Sequence, residues 1–166
     1  MLKSSFPAVT DARTRLLILG SLPGEASLAR AQYYAHPQNQ FWRLMQAVIE
    51  RPLVELSYPD RLETLLEAGV GLWDVVRSAE RVGSLDTAIR NLEANALGDF
   101  VATLPALRAV AYNGAKASTV GRALLGEETA FAQVSLPSSS PAHAVPFAMK
   151  APPWLALRVF LNDGAP

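Results

Sequence analysis

The chain contains 166 residues, half of them hydrophobic, and its 15 Lys and Arg are balanced by 15 Asp and Glu. This length matches one domain with one core, so we expect a single domain spanning residues 1–166. The zero net charge removes the simplest sign of a nucleic-acid-binding protein, which is a strongly basic chain. It does not exclude a local basic patch, because phosphates respond to nearby charge rather than to the total.

Cysteine is absent, and the two histidines, His36 and His143, lie far apart in the sequence. Disulfides and thiolate metal sites are therefore excluded, and a histidine-rich zinc site is disfavoured. The first residues lack the apolar stretch of a signal peptide, and no apolar run is long enough to span a bilayer. The sequence thus predicts a cytoplasmic protein without a membrane partner.

Four short apolar segments are predicted strands. Residues 15–20 form an apolar run that ends in glycine, which is typical of a parallel strand buried under helices on both faces. Residues 108–114 repeat this pattern, and residues 131–137 end in proline. Residues 70–76 form a weaker strand pattern.

Apolar residues recur at helical spacing in four further segments, residues 41–50, 60–68, 115–125 and 152–161. The alternation of short strands with helices predicts a parallel sheet between two helix layers. Such sheets bind ligands at the carboxyl ends of their strands. Functional residues are therefore expected just after the four strand ends, which are Gly20, Asp74, Asn113 and Leu136.

The first candidate segment follows the first predicted strand and has the sequence Gly20-Ser21-Leu22-Pro23-Gly24. Two glycines and a proline make a tight loop with exposed backbone N–H groups, which can approach a phosphate or a base edge closely. The segment is not a P-loop, because the Gly-Lys-Ser/Thr ending is missing. An ordinary strand-to-helix turn explains the same composition.

The second candidate segment, residues 33–42, is dense in aromatic and amide side chains. Tyr33 and Tyr34 can provide a stacking face for an unpaired base. The Asn39 amide can hold a water molecule or pair with a base edge, but it also precedes an apolar helix and would be a good N-cap. Taken singly, His36 and Asn39 are the kinds of residue that more often form turns and caps.

The third candidate segment places Ser138, Ser139 and Ser140 between two prolines after the last predicted strand. Short hydroxyls and backbone N–H groups are typical donors to phosphate oxygens. A plain surface loop has the same composition, so this segment alone is a weak indication.

Together these segments resemble the uracil-DNA glycosylase superfamily. Residues 20–24 look like its first motif, and His36-Pro37-Gln38-Asn39-Gln40-Phe41-Trp42 is similar to the His-Pro-x-Asn-x-Phe-Trp stretch of its mismatch-specific members. Residues 137–141 stand where the second motif, a DNA-penetrating loop, belongs. The segments 20–24, 32–37 and 137–142 most resemble the hypoxanthine-DNA glycosylase branch, and the segments 71–76 and 83–86 also look like it.

The resemblance implies a three-layer α/β/α sandwich with a four-stranded, mainly parallel sheet of strand order 2-1-3-4. It implies hydrolysis of the N-glycosidic bond of a deaminated deoxynucleotide, above all deoxyinosine, with release of hypoxanthine and formation of an abasic site. It implies no metal and no organic cofactor. We expect a monomer whose partner is DNA containing deaminated bases.

The resemblance also implies roles for individual residues. In the hypoxanthine branch the Asn of the His-Pro-x-Asn stretch is the implied catalytic residue, which makes Asn39 the expected one here; Ser21, Leu22 and Pro23 place no amide or carboxylate in the first motif. The expected base-binding residues are Gly20, Ser21, Leu22, Tyr33, Tyr34 and Asn113. The expected DNA-binding residues are Gly24, Ser138, Ser139, Ser140 and His143, the last of which stands where the hypoxanthine branch has Asn.

Two alternatives stay open on the sequence. The same fold could excise uracil or thymine from mismatches, or it could be a nucleic-acid-binding domain without catalytic activity. For any of these functions a neutral chain must concentrate its cations at the binding cleft. The cations expected at the border of that cleft are Lys116, Lys150, Arg30, Arg77 and Arg81.

Overall fold

The computed structural model of the chain describes residues 2–162. Its strands are β1 (Leu2–Ser4), β2 (Leu16–Gly20), β3 (Val70–Asp74), β4 (Val76–Glu80), β5 (Arg90–Ala94), β6 (Ala109–Asn113) and β7 (Ala132–Leu136). Its helices are α1 (Glu25–Arg30), α2 (Phe41–Ile49), α3 (Tyr58–Glu67), α4 (Leu97–Val101), α5 (Ala115–Leu125) and α6 (Phe147–Leu155). Two 3₁₀ turns span Asp86–Ala88 and Ala156–Phe160.

The central sheet is parallel and has four strands in the order β3-β2-β6-β7. Counted along the chain, these strands have the order 2-1-3-4, so the predicted sheet and its order are confirmed. The register pairs Gly20 with Asp74 and Asn113 with Leu136. The carboxyl ends of all four strands therefore meet at one edge of the sheet, where the predicted loops begin.

Helices cover both faces of this sheet because its side chains alternate between two apolar layers. Leu16 and Ile18 of β2 pack with α2, α3 and α6, whose contributions include the buried ring of Trp154. Leu17 and Leu19 point the other way and pack with α4 and α5. The three-layer α/β/α arrangement follows directly from this alternation.

A second sheet of three antiparallel strands, in the order β1-β4-β5, lies outside the sequence prediction. Residues 70–76 were expected to form one strand, but the segment is divided: β3 ends at Asp74 and β4 begins at Val76 in the other sheet. Strand β5 is almost entirely exposed, so it lacks the apolar pattern by which strands are detected. This small sheet carries the loop of residues 81–87 to the carboxyl edge of the central sheet.

The last predicted helix, residues 152–161, is displaced in the structure. Helix α6 starts earlier, at Phe147, and a 3₁₀ turn replaces its predicted second half. Pro152 and Pro153 therefore stand inside the helix rather than in its first turn. The carbonyls that lose their N–H partners belong to Ala148 and Met149, which are exposed, so that water can bind them. Within residues 2–162, no helix has the length and apolarity needed to cross a membrane.

Helix α5 is seated on the sheet through Gly121, and replacement of this glycine tests the packing. A Cβ at Gly121 would stand 2.1 Å from Cε1 of Tyr112, whose ring is fully buried. We expect Gly121→Ala to lower the free energy of unfolding by about 1–3 kcal/mol, because overpacking outweighs the gain in helix propensity.

Urea denaturation measures this change, and Gly98→Ala is the matched control. Gly98 lies in α4, and a Cβ there would meet nothing within 4 Å. We expect that variant to be as stable as the parent or slightly more stable. Equal stability of the Gly121→Ala variant and the parent would contradict the close packing of α5 on Tyr112.

Candidate active site at the carboxyl ends of the sheet

The loops at the carboxyl edge of the central sheet enclose a cavity of about 390 Å³. Its wall includes every residue that the sequence predicted for the site: Gly20, Ser21, Leu22, Gly24, Tyr33, Tyr34, Asn39, Asn113, Ser138, Ser139, Ser140 and His143. The cavity also includes Asp74 and the loop of residues 84–87. Its location agrees with the rule that open parallel sheets bind ligands at these strand ends.

The first loop, residues 20–24, is held by groups from the second sheet. The Ser21 hydroxyl donates a hydrogen bond of 2.5 Å to the Asp86 carboxylate. The Arg81 guanidinium, which is 2 % exposed, donates to the backbone carbonyls of Leu22 and Pro23. These contacts fix the loop in position, so its backbone presents a stable surface to the cavity.

Leu22, which the sequence predicted to bind the base, lies in the wall of the cavity. Its side chain is 6 % exposed and packs in the apolar layer beneath the loop. The apolar Leu22 therefore anchors the first loop, which explains why this position holds no polar group.

Gly20 is required by the close approach of two other side chains. A Cβ on Gly20 would stand 2.7 Å from Oδ1 of Asp74 and 3.2 Å from the hydroxyl oxygen of Tyr34. Gly24, at the other end of the loop, has Oγ of Ser84 at 3.3 Å from the same hypothetical atom. The glycines of this loop thus make room for neighbouring polar side chains.

Tyr33 and Tyr34 differ in their environments, although both line the cavity. Tyr33 is 3 % exposed, its hydroxyl donates to the carbonyl of Pro7, and its ring packs edge-on against Phe6. Tyr34 adopts a φ of +53° and stacks on Phe41 with ring centroids 3.9 Å apart. The Tyr34 hydroxyl is buried and forms no hydrogen bond of ordinary geometry among residues 2–162; burial raises its pKa, and the nearby Asn113 side chain opposes this rise. Tyr33 is thus an anchored core residue, and Tyr34 is the tyrosine with free hydrogen-bonding capacity.

Asn39 lies one residue before the N-cap of helix α2, where its side chain binds the first backbone N–H of the helix and also lines the cavity. Its Oδ1 accepts a hydrogen bond of 3.0 Å from the N–H of Phe41, and its own N–H donates to the carbonyl of His36. The helix begins after Gln40, one residue later than the sequence predicted for a cap at Asn39. The Nδ2 group and one lone pair of Oδ1 are not used in these contacts, so the side chain can still bind a water molecule.

Asn113 and Ser139 hold each other through two hydrogen bonds. The N–H of Ser139 donates to Oδ1 of Asn113 at 2.9 Å, and Nδ2 of Asn113 donates to Oγ of Ser139 at 2.9 Å. The Ser139 carbonyl also accepts from the N–H of Gln40. Ser139 is 1 % exposed, so the structure does not support the predicted phosphate contact by its hydroxyl. It supports a positioning role for Ser139 instead.

The other two serines and His143 lie nearer the surface. Oγ of Ser138 accepts from the N–H of Ser140, and Oγ of Ser140 accepts from the N–H of Ala142. Each hydroxyl can therefore still donate its own hydrogen outward. The His143 side chain is exposed at the rim of the cavity.

Two of the cations expected at the cleft are buried beneath it. Lys150 is 1 % exposed, and its Nζ donates a hydrogen bond to the carbonyl of Ser140. Arg81, which is also buried, donates to backbone carbonyls of the first loop. Burial lowers the pKa of both side chains, and for Arg81 the nearby Asp86 carboxylate opposes this effect. Neither cation can reach a phosphate from such a position, so this prediction is wrong for them. Arg30 and Arg77 are exposed.

Asp74 lines the cavity at the end of β3. The sequence indicated that functional residues would follow this strand end, but Asp74 itself was not among the predicted site residues. The carboxyl group is 3 % exposed, and its Oδ2 has no hydrogen-bond partner within the described range 2–162. Burial, the largest cause, and the Asp86 carboxylate together raise the pKa of Asp74 to about 7, although Arg81 opposes the rise. The sequence did contain a signal: Asp74 follows Val70 and Leu72 at alternate positions of one strand, so its carboxyl group lies on the same buried face.

The raised pKa of Asp74 predicts a measurable pH dependence of stability. The folded chain holds this proton up to about pH 7, whereas the unfolded chain loses it near pH 3.8. Protonated Asp74 thus contributes fully to stability below pH 3.8, and this contribution is lost as pH rises to about 7.

Asp74→Asn removes this titration, and chemical denaturation over the same pH range measures the effect. As pH rises from 3.8 to about 7, the parent loses the contribution of Asp74 and the variant does not. We therefore expect the free energy of unfolding of the variant to rise by about 4 kcal/mol relative to that of the parent over this range. A constant difference across the range would show that Asp74 has an ordinary pKa.

Comparisons with known proteins agree with this architecture. The family model of the uracil DNA glycosylase superfamily matches residues 7–160. A hypoxanthine DNA glycosylase of Methanosarcina barkeri is 44% identical over 116 residues, which cover 70% of this chain and 73% of the relative. A hypoxanthine DNA glycosylase of Methanosarcina acetivorans is 41% identical over 145 residues, which cover 86% and 89%.

A solved structure shows the same fold. The solution NMR structure of a candidate uracil DNA glycosylase from Methanosarcina acetivorans superposes with a TM-score of 0.85 and 38% sequence identity, covering 95% of this chain and 97% of the other. The matched residues include all four strands of the central sheet and every loop of the cavity. The chain therefore belongs to the uracil DNA glycosylase superfamily.

Proposed function

We propose that this chain is a DNA glycosylase that excises hypoxanthine from deoxyinosine in DNA and leaves an abasic site. The observation that carries the proposal is the convergence of Asn39, Asn113 and Asp74 on one cavity at the strand ends. The family and the names of the two Methanosarcina relatives support the same reaction. We further propose that the chain acts as a monomer in the cytoplasm.

The substrate base must leave the duplex before it can enter such a cavity. Extrusion costs a few kcal/mol and is cheapest for a mispaired base, which favours deaminated bases as substrates. The half-buried hydroxyls of Ser138 and Ser140 and the exposed His143 lie where they can contact the DNA backbone beside the extruded nucleotide. Gly24 lets the backbone of the first loop approach the same strand.

Cleavage then requires a placed water molecule and a stabilised leaving base. The bond between C1′ and the base nitrogen breaks with its electron pair going to the base, and the water oxygen forms the new bond to C1′. The water loses a proton, and the departing base gains one from solvent or from the site. Asn39 orients the water through the part of its amide that the helix cap leaves unused.

The base is held on the opposite side of the cavity. The loop backbone at Gly20, Ser21 and Leu22 forms one wall, and the ring of Tyr34 forms another. Asn113 retains one N–H and one lone pair beyond its bonds to Ser139 and can use them toward the base. Hydrogen bonds that strengthen as negative charge develops on the leaving base accelerate the reaction.

Release of free base from defined oligonucleotides tests the proposal. The substrates carry a single deoxyinosine, a deoxyuridine opposite guanine, or a thymine opposite guanine, and the products are the free base and an alkali-labile site. We expect hypoxanthine release to be the fastest. Excision of only uracil or thymine would assign the mismatch-specific activity, and binding of the deoxyinosine duplex without any release would indicate a non-catalytic binding domain.

Replacement of Asn39 separates catalysis from capping. We expect Asn39→Ala to lose about 1 kcal/mol of stability from the cap and roughly 100-fold or more in the single-turnover rate of hypoxanthine excision. Asn39→Asp keeps an oxygen for the N–H of Phe41 and can still orient a water, so we expect it to retain the stability and part of the rate.

The control for Asn39 is Gln38→Ala, because Gln38 is exposed in the same turn and does not line the cavity. We expect this variant to match the parent in rate. Thermal denaturation of each variant, recorded beside the rate, separates a loss of fold from a loss of catalysis. A parental rate in a slightly destabilised Asn39→Ala variant would reduce Asn39 to a helix cap.

A further inference from the structure

Asp74 and Tyr34 place two unused hydrogen-bonding groups side by side in the cavity. Oδ2 of Asp74 is buried and has no hydrogen-bond partner in the described part of the chain, and the buried hydroxyl of Tyr34 has the Asn113 side chain beside it but forms no hydrogen bond of ordinary geometry. Both side chains approach the same point, the position that a Cβ of Gly20 would occupy. An unpartnered buried polar group costs roughly 1–3 kcal/mol, so two at one site indicate a partner that arrives with the substrate.

Several other polar groups of the cavity use part of their hydrogen-bonding capacity within the protein. Each amide atom of Asn113 makes a hydrogen bond to Ser139, and the Ser21 hydroxyl donates to Asp86. Oδ1 of Asn39 caps helix α2. Within residues 2–162, by contrast, Oδ2 of the Asp74 carboxyl accepts no hydrogen bond, so its capacity is left for a base.

The surroundings of Asp74 favour a neutral carboxyl group. The charged groups near it are Asp86, which opposes ionisation of Asp74, and Arg81, which favours it, while desolvation outweighs both. Arg81 spends its donors on the carbonyls of Leu22, Pro23 and Gly83 rather than on Asp74. A neutral carboxyl offers one O–H donor and one carbonyl acceptor at adjacent positions.

We propose that Asp74, with the hydroxyl of Tyr34 beside it, is a specificity-determining residue that pairs with the lactam edge of the extruded base. The carboxyl O–H donates to O6 of hypoxanthine, and the other carboxyl oxygen accepts from N1–H. A carboxylate has no hydrogen to donate and would repel O6, so the pairing needs the protonated side chain. This inference rests on the proposed function for the identity of the base.

A pH profile of excision is the first test. We expect the single-turnover rate of the parent on deoxyinosine DNA to fall as pH rises above about 7, as Asp74 ionises. Asp74→Asn keeps one donor and one acceptor without a titratable proton, so we expect its rate to lose this fall. Asp86→Asn removes a like charge near Asp74, and we expect it to move the fall of the rate to lower pH.

The matched control for the pH profile is Asp99→Asn, which changes an exposed carboxylate in α4 far from the cavity wall. We expect this variant to retain the profile of the parent. Parallel profiles for the parent and Asp74→Asn would overturn the proposal, since a purely structural role of Asp74 would change the stability and leave the pH dependence of the rate intact.

Binding of free bases is the second test and does not depend on catalysis. Hypoxanthine carries the lactam edge, whereas unsubstituted purine lacks both O6 and N1–H. We expect the parent to bind hypoxanthine roughly 10-fold or more tightly than purine, as for two hydrogen bonds formed in a buried site, and Asp74→Leu to lose this preference. Heat-monitored unfolding verifies that the Leu variant is folded.

The outcomes separate this inference from the proposed function. Equal binding of the two bases by the parent, or an unchanged preference in Asp74→Leu, would overturn the role of Asp74 even if the chain excises hypoxanthine. A preference for hypoxanthine that depends on Asp74, in a chain that releases no hypoxanthine from DNA, would refute the proposed function and leave the recognition role standing.

Discussion

The two hydrogen bonds between Asn113 and Ser139 join parts of the chain that are 26 residues apart. They connect the end of strand β6 to the loop that follows β7, and the carbonyl of Ser139 extends the connection to Gln40 at the start of α2. Asn39 precedes Gln40, so its position depends on the same contacts. In a buried setting such a connected set of hydrogen bonds is strong when complete and costly when any one partner is removed.

Helix α6 supports this loop from below with two polar contacts. Nε1 of Trp154 donates to the carbonyl of Pro137, and Nζ of Lys150 donates to that of Ser140. The second sheet does the same for the first loop through Arg81, which bonds to its carbonyls. Buried cations thus act here as donors that hold backbone, and within residues 2–162 no Lys or Arg lines the cavity. A chain of zero net charge can build a DNA-processing site in this way only if other cations contact the phosphates.

The sequence was sufficient to predict the central sheet, because β2 and β6 are short buried apolar runs and three of the four strands end at or just before glycine or proline. It could not predict the antiparallel sheet, since β5 is exposed and carries no apolar periodicity. The predicted start of helix α6 was wrong because proline is usual in the first turn of a helix, whereas Pro152 lies inside α6. The carbonyls that lose their N–H partners there face solvent. In each case the local pattern was outweighed by a tertiary contact or by access of water.

The sequence predicted which residues line the site better than it predicted the role of each residue. Tyr33 and Tyr34 are the same residue type, so the sequence does not show that their environments differ. In the structure Tyr34 has a left-handed backbone, whereas the Tyr33 hydroxyl is bonded to the protein. Ser139 cannot be told from its serine neighbours until its burial is known. The Asp74 carboxyl was overlooked because a strand-end aspartate is commonly a turn residue, and its value depends on what packs around it.

The buried polar atoms of this fold therefore fall into two groups with opposite consequences. Those of Asn113, Ser139, Arg81 and Lys150 are satisfied within the chain, and they give the loops a defined shape at little cost to stability. Those of Asp74 and Tyr34 are unsatisfied in the free chain and make it less stable than apolar replacements would. Such a cost is retained where a ligand offsets it, and both groups lie in the wall of one cavity. The satisfied set holds the cavity open in one geometry, and this rigidity is what allows the unsatisfied pair to discriminate between bases by hydrogen bonding rather than by size alone.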